Sequence, residues 1–179
     1  TSAPPPQHIS FCNAAYGIRL AYAKAGDGPP LVRAANWMTH LAYDVESPVW
    51  RHWVTELSRG HTFIRYDERG CGLSDWDAGE FRFDDWVADL ESVVDAVGLQ
   101  RFPLLGVSQG GAVAVSYAAR HPERVSHLVL CGAYAQGRGV RASNPDEQRA
   151  AALDLDLARV GWGRDDPAFR QVFAAQFRP

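Results

Sequence analysis

The stretch Phe102-Pro103-Leu104-Leu105-Gly106-Val107-Ser108-Gln109-Gly110-Gly111 decides the fold of this chain. An apolar segment leads into Gly-x-Ser-x-Gly, and an alanine-rich segment follows. This order predicts a strand, a tight turn and a helix, which together hold a serine hydroxyl out at the end of a sheet. Gly106 and Gly110 flank Ser108 because side chains there would clash where strand and helix approach. The stretch therefore predicts Ser108 as a nucleophile, which needs a general base and an acid that orients the base.

The composition indicates an ordinary globular domain. The chain has 179 residues, of which 46% are hydrophobic and 22% are charged, and this length fits one domain with a sizeable core. The net charge is −3 and no basic cluster occurs, so we expect no nucleic acid as partner. No apolar run approaches the ~20 residues of a membrane helix, so we expect no membrane partner either.

Neither the cysteines nor the first residues of the chain predict a functional site. Cys12, Cys71 and Cys131 are far apart and lack the spacing of a metal site, which predicts reduced thiols in a cytoplasmic protein. We therefore expect no metal and no cofactor. The prolines of residues 1–8 predict an extended tail or linker.

The order of the elements predicts an α/β protein with a mostly parallel sheet, opened by an antiparallel hairpin. Strands are predicted at 9–14, 17–23, 31–35, 63–66, 102–107 and 125–131. Helices are predicted at 48–59, 84–97, 109–120, 146–160 and 167–177. No strand is predicted after residue 132. We therefore expect the core over residues 9–132 and a helical cap or lid segment over residues 133–179.

Several motifs together resemble the α/β-hydrolase fold superfamily. They are the Gly106–Gly111 turn, the charged glycine turn Tyr66–Asp75, and the segment His121–Val125. More narrowly, Arg33–Leu41 and Ser47–Trp50 resemble hydrolase domains that occur alone or fused to bacterial nucleotide cyclases and transcriptional regulators. The resemblance implies an α/β-hydrolase core followed by the start of a helical cap.

The resemblance also implies an oxyanion hole. In the superfamily the loop after the third strand supplies one backbone donor, here Trp37, and the residue after the nucleophile supplies the other, here Gln109. Ala35-Asn36 stands where the family usually has His-Gly. The Asn36 side chain is either a third donor or a cap of the following turn. Asn36, His40 and Tyr134 are candidate pocket residues.

The segment Asp67–Asp75, after the strand at 63–66, is interpreted as a glycine turn with surface charges. We expect Asp67 and Arg69 to brace this loop rather than to do chemistry. Cys71 is expected to be a buried small thiol, since no base lies near it in sequence.

No downstream histidine suits Ser108 as its base. His121 ends the predicted helix that Ser108 begins, roughly 20 Å away at ~1.5 Å per residue. His127 lies at the opposite edge of the sheet, about 16 Å away at ~3.3 Å per residue. Two interpretations of His40 stay open: the base of a rearranged dyad with Ser108, or a polar residue of the pocket wall. The second is favoured, because the fold places its base elsewhere.

We therefore expect a chain truncated before the last strands, which carry the acid and the histidine in the resembled fold. The intact protein is predicted to be a serine hydrolase of a small ester-like substrate, and this chain alone to be inactive. A complementary C-terminal segment or a second copy is expected to cover the open edge strand. The alternative is a non-catalytic ligand-binding or sensory domain of a regulatory protein.

Overall fold

The structure is a computed structural model that describes residues 5–37 and 39–175. Residues 1–4 of the predicted tail, Met38 of the Arg33–Leu41 segment, and residues 176–179 at the end of the predicted cap lie outside the described residues. Gln7 and His8, at the end of the predicted tail, already belong to the first strand.

A six-stranded sheet organises the part of the chain that the structure describes, in the order β1-β2-β4-β3-β5-β6. Its strands are β1 (Gln7–Asn13), β2 (Arg19–Ala25), β3 (Pro30–Arg33), β4 (Thr62–Tyr66), β5 (Phe102–Val107) and β6 (Val125–Cys131). β2 pairs antiparallel with both β1 and β4, whereas the remaining pairs are parallel. The predicted α/β class, with a mostly parallel sheet and an antiparallel N-terminal hairpin, is confirmed.

Seven helices accompany the strands in the described part of the chain. They are α1 (Leu41–Asp44), α2 (Arg51–Leu57), α3 (Phe83–Val97), α4 (Gly110–Arg120), α5 (Arg138–Arg141), α6 (Pro145–Gly161) and α7 (Pro167–Ala175). The short helices α1 and α5 are too brief to give a periodic pattern, and the sequence did not predict them.

Helix α2 is shorter than predicted. It begins at Arg51 rather than Pro48. The four-residue spacing of Val49, Trp53 and Leu57 predicts one buried face, and Trp53 and Leu57 do pack on the sheet. Val49, however, is 56% exposed, and Trp50 packs in its place because its ring buries more apolar area.

Apolar layers cover both faces of the sheet. The larger core cluster lies under α3 and α4 and includes Leu90 and Val94 of α3 and Tyr117 of α4. A smaller cluster lies under α2 and includes Phe63 and Leu105. Gly98, at φ +81, ends α3 in the left-handed conformation that the sequence predicts.

Strand β6 forms one edge of the described sheet, since only β5 pairs with it. Three consecutive apolar side chains of β6 stay exposed, with fractions of 38% for Leu128, 50% for Val129 and 47% for Leu130. Such an edge presents unpaired backbone groups and apolar side chains together.

The chain divides into two compact units after Ala135. The second unit holds α5, α6 and α7. The Asn144 side chain caps α6 by accepting the backbone N–H groups of Asp146 and Glu147. Trp162, Phe169 and Phe173 pack their rings against one another within this unit. No helix in residues 5–37 and 39–175 is long and apolar enough to cross a membrane.

Candidate active site

Ser108 lies in a strained turn between β5 and α4. Its φ is +52°, in the left-handed region that few residues other than glycine adopt. The Ser108 N–H donates to the Cys131 carbonyl at 3.0 Å, and the Ser108 carbonyl accepts the Gly111 N–H at 3.0 Å. The turn therefore holds the side chain at the carboxyl end of β5, beside the end of β6.

The glycines around Ser108 have no room for side chains. A Cβ atom on Gly106 would lie 2.7 Å from the Gly111 Cα, and one on Gly110 would lie 2.7 Å from the Ala35 carbonyl oxygen. A Cβ on Gly111 would collide with the Ala133 side chain. Close approach of strand, helix and loop thus explains the whole Gly-x-Ser-x-Gly-Gly pattern.

The two predicted oxyanion donors meet at this turn. Gln109 directly precedes α4, whose first N–H groups face the space before the helix. The backbone N–H of Trp37, in the loop after β3, donates to the Gln109 side-chain Oε1 at 2.8 Å. The structure therefore places the loop of Trp37 against Gln109, and the Trp37 donor is already engaged by a protein oxygen.

Asn36 is held by its own neighbours. Its Oδ1 accepts a hydrogen bond from the buried Arg33 guanidinium, and its Nδ2 donates to the Trp37 carbonyl at 3.2 Å. Arg33 stacks on the Trp50 ring at 4.0 Å, and burial lowers its pKa to about 10. These contacts fix the loop that presents the Trp37 N–H, so Asn36 braces that loop through both ends of its amide.

Asp67 ties the same loop to the turn after β4. Its buried carboxylate accepts the Leu41 N–H at 3.1 Å and the Leu73 N–H at 2.9 Å. Burial raises the pKa of Asp67, whereas these two N–H donors lower it. A Cβ on Gly72 would collide with the Asp67 carboxylate. The prediction that Asp67 braces this region is confirmed.

Arg69 forms a buried, two-pronged ion pair. Its Nε and Nη2 donate to the Asp89 carboxylate of α3 at 2.7 Å and 2.6 Å, and Asp85 lies 3.7 Å from its Nη1. The pair fastens the turn after β4 to α3. The structural role expected of Arg69 is confirmed, whereas Cys71, expected to be buried, is only partly so.

The expectation that this turn carries surface charges is wrong, since the side chains of Asp67, Glu68 and Arg69 are buried, and no role was assigned to Glu68 from the sequence. The residue follows β4 at the carboxyl edge of the parallel strands, and its Oε1 accepts the Gln109 Nε2 at 3.2 Å. Burial raises the pKa of Glu68 to about 7, the Gln109 hydrogen bond opposes this shift, and the charge of Asp89 adds a smaller increase. Its position at the end of a central strand, where parallel sheets gather their functional groups, was the available signal.

Comparison with known proteins identifies the family of the chain. The sequence profile of the alpha/beta hydrolase fold matches residues 41–179. The chain belongs to the α/β-hydrolase family.

Relatives of this α/β hydrolase carry several hydrolase names. It is 37% identical, over 109 residues, to a 2-hydroxy-6-oxo-2,4-heptadienoate hydrolase of Pseudomonas putida, covering 60% of this chain and 35% of that protein. It is 29% identical, over 136 residues, to epoxide hydrolase 3 of Xenopus tropicalis, covering 74% of this chain and 36% of that protein. These relatives support a hydrolase function.

Among solved structures, a hydrolase from Pseudomonas aeruginosa PA01 superposes with a TM-score of 0.66 and 27% identity, over 92% of this chain and 64% of that one. The chain spans about a third of the length of the two curated relatives above. The narrower resemblance, to domains fused to cyclases and regulators, stays a prediction.

The histidines of this α/β hydrolase lie away from Ser108 or have other contacts. His127 pairs with Pro103, five positions before Ser108 along the neighbouring strand. His121 follows the last residue of α4 and packs on Tyr117 at 4.7 Å between ring centroids. His40 precedes α1, and its ring packs against the tilted Tyr43 ring with 4.3 Å between centroids. Within residues 5–37 and 39–175, no hydrogen bond joins the Ser108 hydroxyl to a histidine.

Tyr134, the third candidate pocket residue, lines an apolar cavity of about 280 Å³. The cavity lies between the first half of α4, the end of β6 and Phe83. Gly111 contributes to its wall, but neither Ser108 nor Trp37 does. The structure thus brings Asn36, Trp37, Gln109 and Ser108 to one place and leaves Tyr134 in a neighbouring depression.

Proposed function

We propose that this protein is a serine hydrolase of small ester-like substrates, with Ser108 as its nucleophile. The observation that carries the proposal is the left-handed φ of +52° at Ser108, within a turn whose neighbouring glycines leave no space for a Cβ. Strained φ/ψ values of this kind cluster at active sites, and a serine held in a strand-to-helix turn is the arrangement of a nucleophile. Membership of a family of hydrolases supports the same conclusion.

The mechanism follows from the positions of the donors. The Ser108 Oγ attacks the substrate carbonyl carbon, and its proton passes to a histidine. The backbone N–H groups of Trp37 and Gln109 receive the oxyanion that forms. Collapse of this intermediate expels the alcohol, which takes the proton from the histidine. Water then hydrolyses the acyl-enzyme by the same steps.

The histidine and its acid are expected to come from residues outside this 179-residue chain. No described histidine is hydrogen-bonded to Ser108, and His121 and His127 lie at the far ends of α4 and β6. A complementary C-terminal segment, or a second copy, would also cover the exposed apolar edge of β6. The chain by itself is expected to be inactive.

The test is hydrolysis of a short acyl ester by the full-length protein. Ser108→Ala should lower kcat by about three orders of magnitude or more. Ser126→Ala, a serine on β6 beside His127, is the matched control and should retain activity. A fluorophosphonate should label Ser108, as mass spectrometry of the digested protein would show. Unchanged turnover by Ser108→Ala would exclude the serine mechanism.

A second test addresses His40. The 179-residue chain alone should show no Ser108-dependent turnover. If the chain alone hydrolyses the ester, and both Ser108→Ala and His40→Ala abolish this activity, the rearranged dyad is the correct interpretation.

The alternative is a ligand-binding or sensory domain without catalysis. The observation that favours it is the Trp37 N–H, which the Gln109 side chain already occupies. A sensory domain would bind an acyl ligand with the same affinity in the wild type and in Ser108→Ala, and would turn over no ester. Calorimetry with a stable ester analogue, beside the hydrolysis assay, separates the two functions.

A further inference from the structure

Two hydrogen bonds connect three residues of the candidate oxyanion hole. The Trp37 N–H donates to Gln109 Oε1 at 2.8 Å, and Gln109 Nε2 donates to Glu68 Oε1 at 3.2 Å. The orientation of the Gln109 amide is determined by these partners, because a backbone N–H needs an oxygen acceptor and a carboxylate needs a donor.

Glu68 has the surroundings of a residue committed to this contact. It is only 4% exposed, and no cation forms an ion pair with it in the described part of the chain. Arg69 follows it in sequence, but the Arg69 guanidinium is taken up by Asp89 and Asp85. A buried carboxylate needs compensating hydrogen bonds, and the Gln109 amide supplies one.

We propose that Glu68 is a positioning residue: it holds the Gln109 side-chain amide on the Trp37 N–H, so that the oxyanion hole is closed in the resting site. A substrate carbonyl then has to displace Gln109 from that N–H. The effect on substrate turnover rests on the proposed function, whereas the hydrogen-bonded, closed state of the oxyanion hole does not. The Gln109 Oε1 occupies the acceptor position that the oxyanion needs on Trp37. Opening the hole therefore breaks one or both of the hydrogen bonds of that amide.

The strength of this contact depends on the charge of Glu68. Burial and, to a smaller extent, Asp89 of α3 raise the pKa of Glu68 to about 7 against the opposing Gln109 hydrogen bond, and Tyr66 at the end of β4 is a further titratable neighbour. Below this pKa the Glu68 carboxyl group is neutral, and the hydrogen bond that it accepts from the Gln109 amide is weak. Above it the carboxylate holds the amide more strongly, because hydrogen bonds to charged groups are stronger. The ionised Glu68 also places a negative charge near the developing oxyanion, with only the Gln109 side-chain amide between them.

The first experiment needs no activity. The full-length, ¹⁵N-labelled protein is titrated from pH 5.5 to 8.5, and NMR follows the Gln109 side-chain NH₂ and the Trp37 backbone amide. The Gln109 protons should shift with a midpoint near pH 7, and Glu68→Gln should abolish this titration. Gln109 resonances that do not change over the whole range would overturn the proposal.

The second experiment compares rates as a ratio. The kcat/KM of Glu68→Gln divided by that of the wild type should be near one at pH 5.5 and rise by roughly threefold or more by pH 8.5, the size expected when a charged hydrogen-bond acceptor becomes neutral. The ratio cancels the titration of the catalytic base, which both proteins share. A ratio that is flat with pH would overturn the proposal.

Asp75→Asn is the matched control. It removes a carboxylate from the same turn, but this carboxylate contacts Arg19 rather than Gln109. Its ratio to the wild type should stay flat with pH, and a rise equal to that of Glu68→Gln would attribute the effect to net charge and overturn the proposal.

The two proposals fail in different ways. If the protein hydrolyses no ester, the proposed serine hydrolase function is excluded. The NMR titration still tests whether Gln109 is hydrogen-bonded to Glu68. If Glu68→Gln does not fold, the titration of the wild-type Gln109 resonance remains decisive. If the Gln109 resonances shift with pH in an active enzyme but the ratio of kcat/KM values does not change with pH, Glu68 has only a structural role. That result would contradict its positioning role.

Discussion

The Asp67 carboxylate accepts the backbone N–H of Leu41, and both of its oxygens lie 3.1 Å from that nitrogen. The two residues stand at the ends of different loops, one after β3 and one after β4. The contact therefore sets the loop of Trp37 relative to the central strands.

Asp67→Asn should destabilise the protein and lower ester turnover. An amide NH₂ in place of Oδ2 would face the Leu73 N–H, and in place of Oδ1 it would face the Leu41 N–H, so either orientation brings two donors together. We expect a loss of about 1–3 kcal/mol in the free energy of unfolding, measured by urea denaturation. Asp27→Asn, in an exposed loop, is the control, and an equal loss in that variant would contradict the assignment.

Gly110→Ala should damage both folding and the oxyanion hole. Its Cβ would lie 2.7 Å and 2.9 Å from the carbonyl oxygens of Ala35 and Ala34, in the loop that carries Trp37. Overpacking of this kind typically costs about 1–3 kcal/mol. Gly60→Ala, where a Cβ would meet nothing within 4 Å, should be close to neutral in the same thermal unfolding experiment. Retained kcat in a stable Gly110→Ala protein would argue against this placement of the loop.

The pH dependence of stability should show the buried carboxyl group of Glu68. Its pKa rises from 4.5 to about 7 on folding, so the native state binds more protons than the unfolded state between these values. Stability should therefore fall as pH rises from about 4.5 to 7, by up to about 3 kcal/mol from this residue. Urea denaturation at each pH measures the slope. Glu68→Gln should remove this part of it, and an unchanged slope in the variant would refute the assignment.

Asp89→Ala should be among the most destabilising single substitutions. It would leave the Arg69 guanidinium buried without its two-pronged partner, which typically costs about 3–5 kcal/mol. Glu56→Ala breaks an exposed pair with Arg59 and should change the midpoint of thermal unfolding little. Equal effects of the two substitutions would show that the Arg69 pair is accessible to water.

Val129→Lys tests whether β6 is covered in the full-length protein. If a further segment or a second copy packs there, the lysine should cost at least about 2 kcal/mol of stability, since a charge would be buried without a partner. Val140→Lys, at a residue that is 72% exposed, is the control. A dependence of the loss on protein concentration would identify the second copy as the cover. Equal, small effects in both variants would mean that β6 stays open to solvent.

Local patterns predicted most of the fold. The amphipathic spacing of α3 and the apolar runs of β5 and β6 depend on neighbours within a few residues, and the structure places these elements within one or two residues of the prediction. Helix α2 was predicted three residues too early because Val49 shares the four-residue spacing of Trp53 and Leu57. That Trp50, and not Val49, packs against Phe63 and Leu105 is decided only by the tertiary structure.

The role of Ser108 and its flanking glycines can be predicted from the sequence because the turn is local. Strain at one residue and the need for glycine on both sides of it produce a short sequence motif. The partners of Trp37 and Gln109 are not readable, since Trp37 and Gln109 are 72 positions apart and Gln109 and Glu68 are 41 positions apart. The strand order places β3 between β4 and β5, and all three strands are parallel, so the loops that follow them open at the same edge. That juxtaposition, which tertiary structure alone creates, makes a buried Glu68 part of the site.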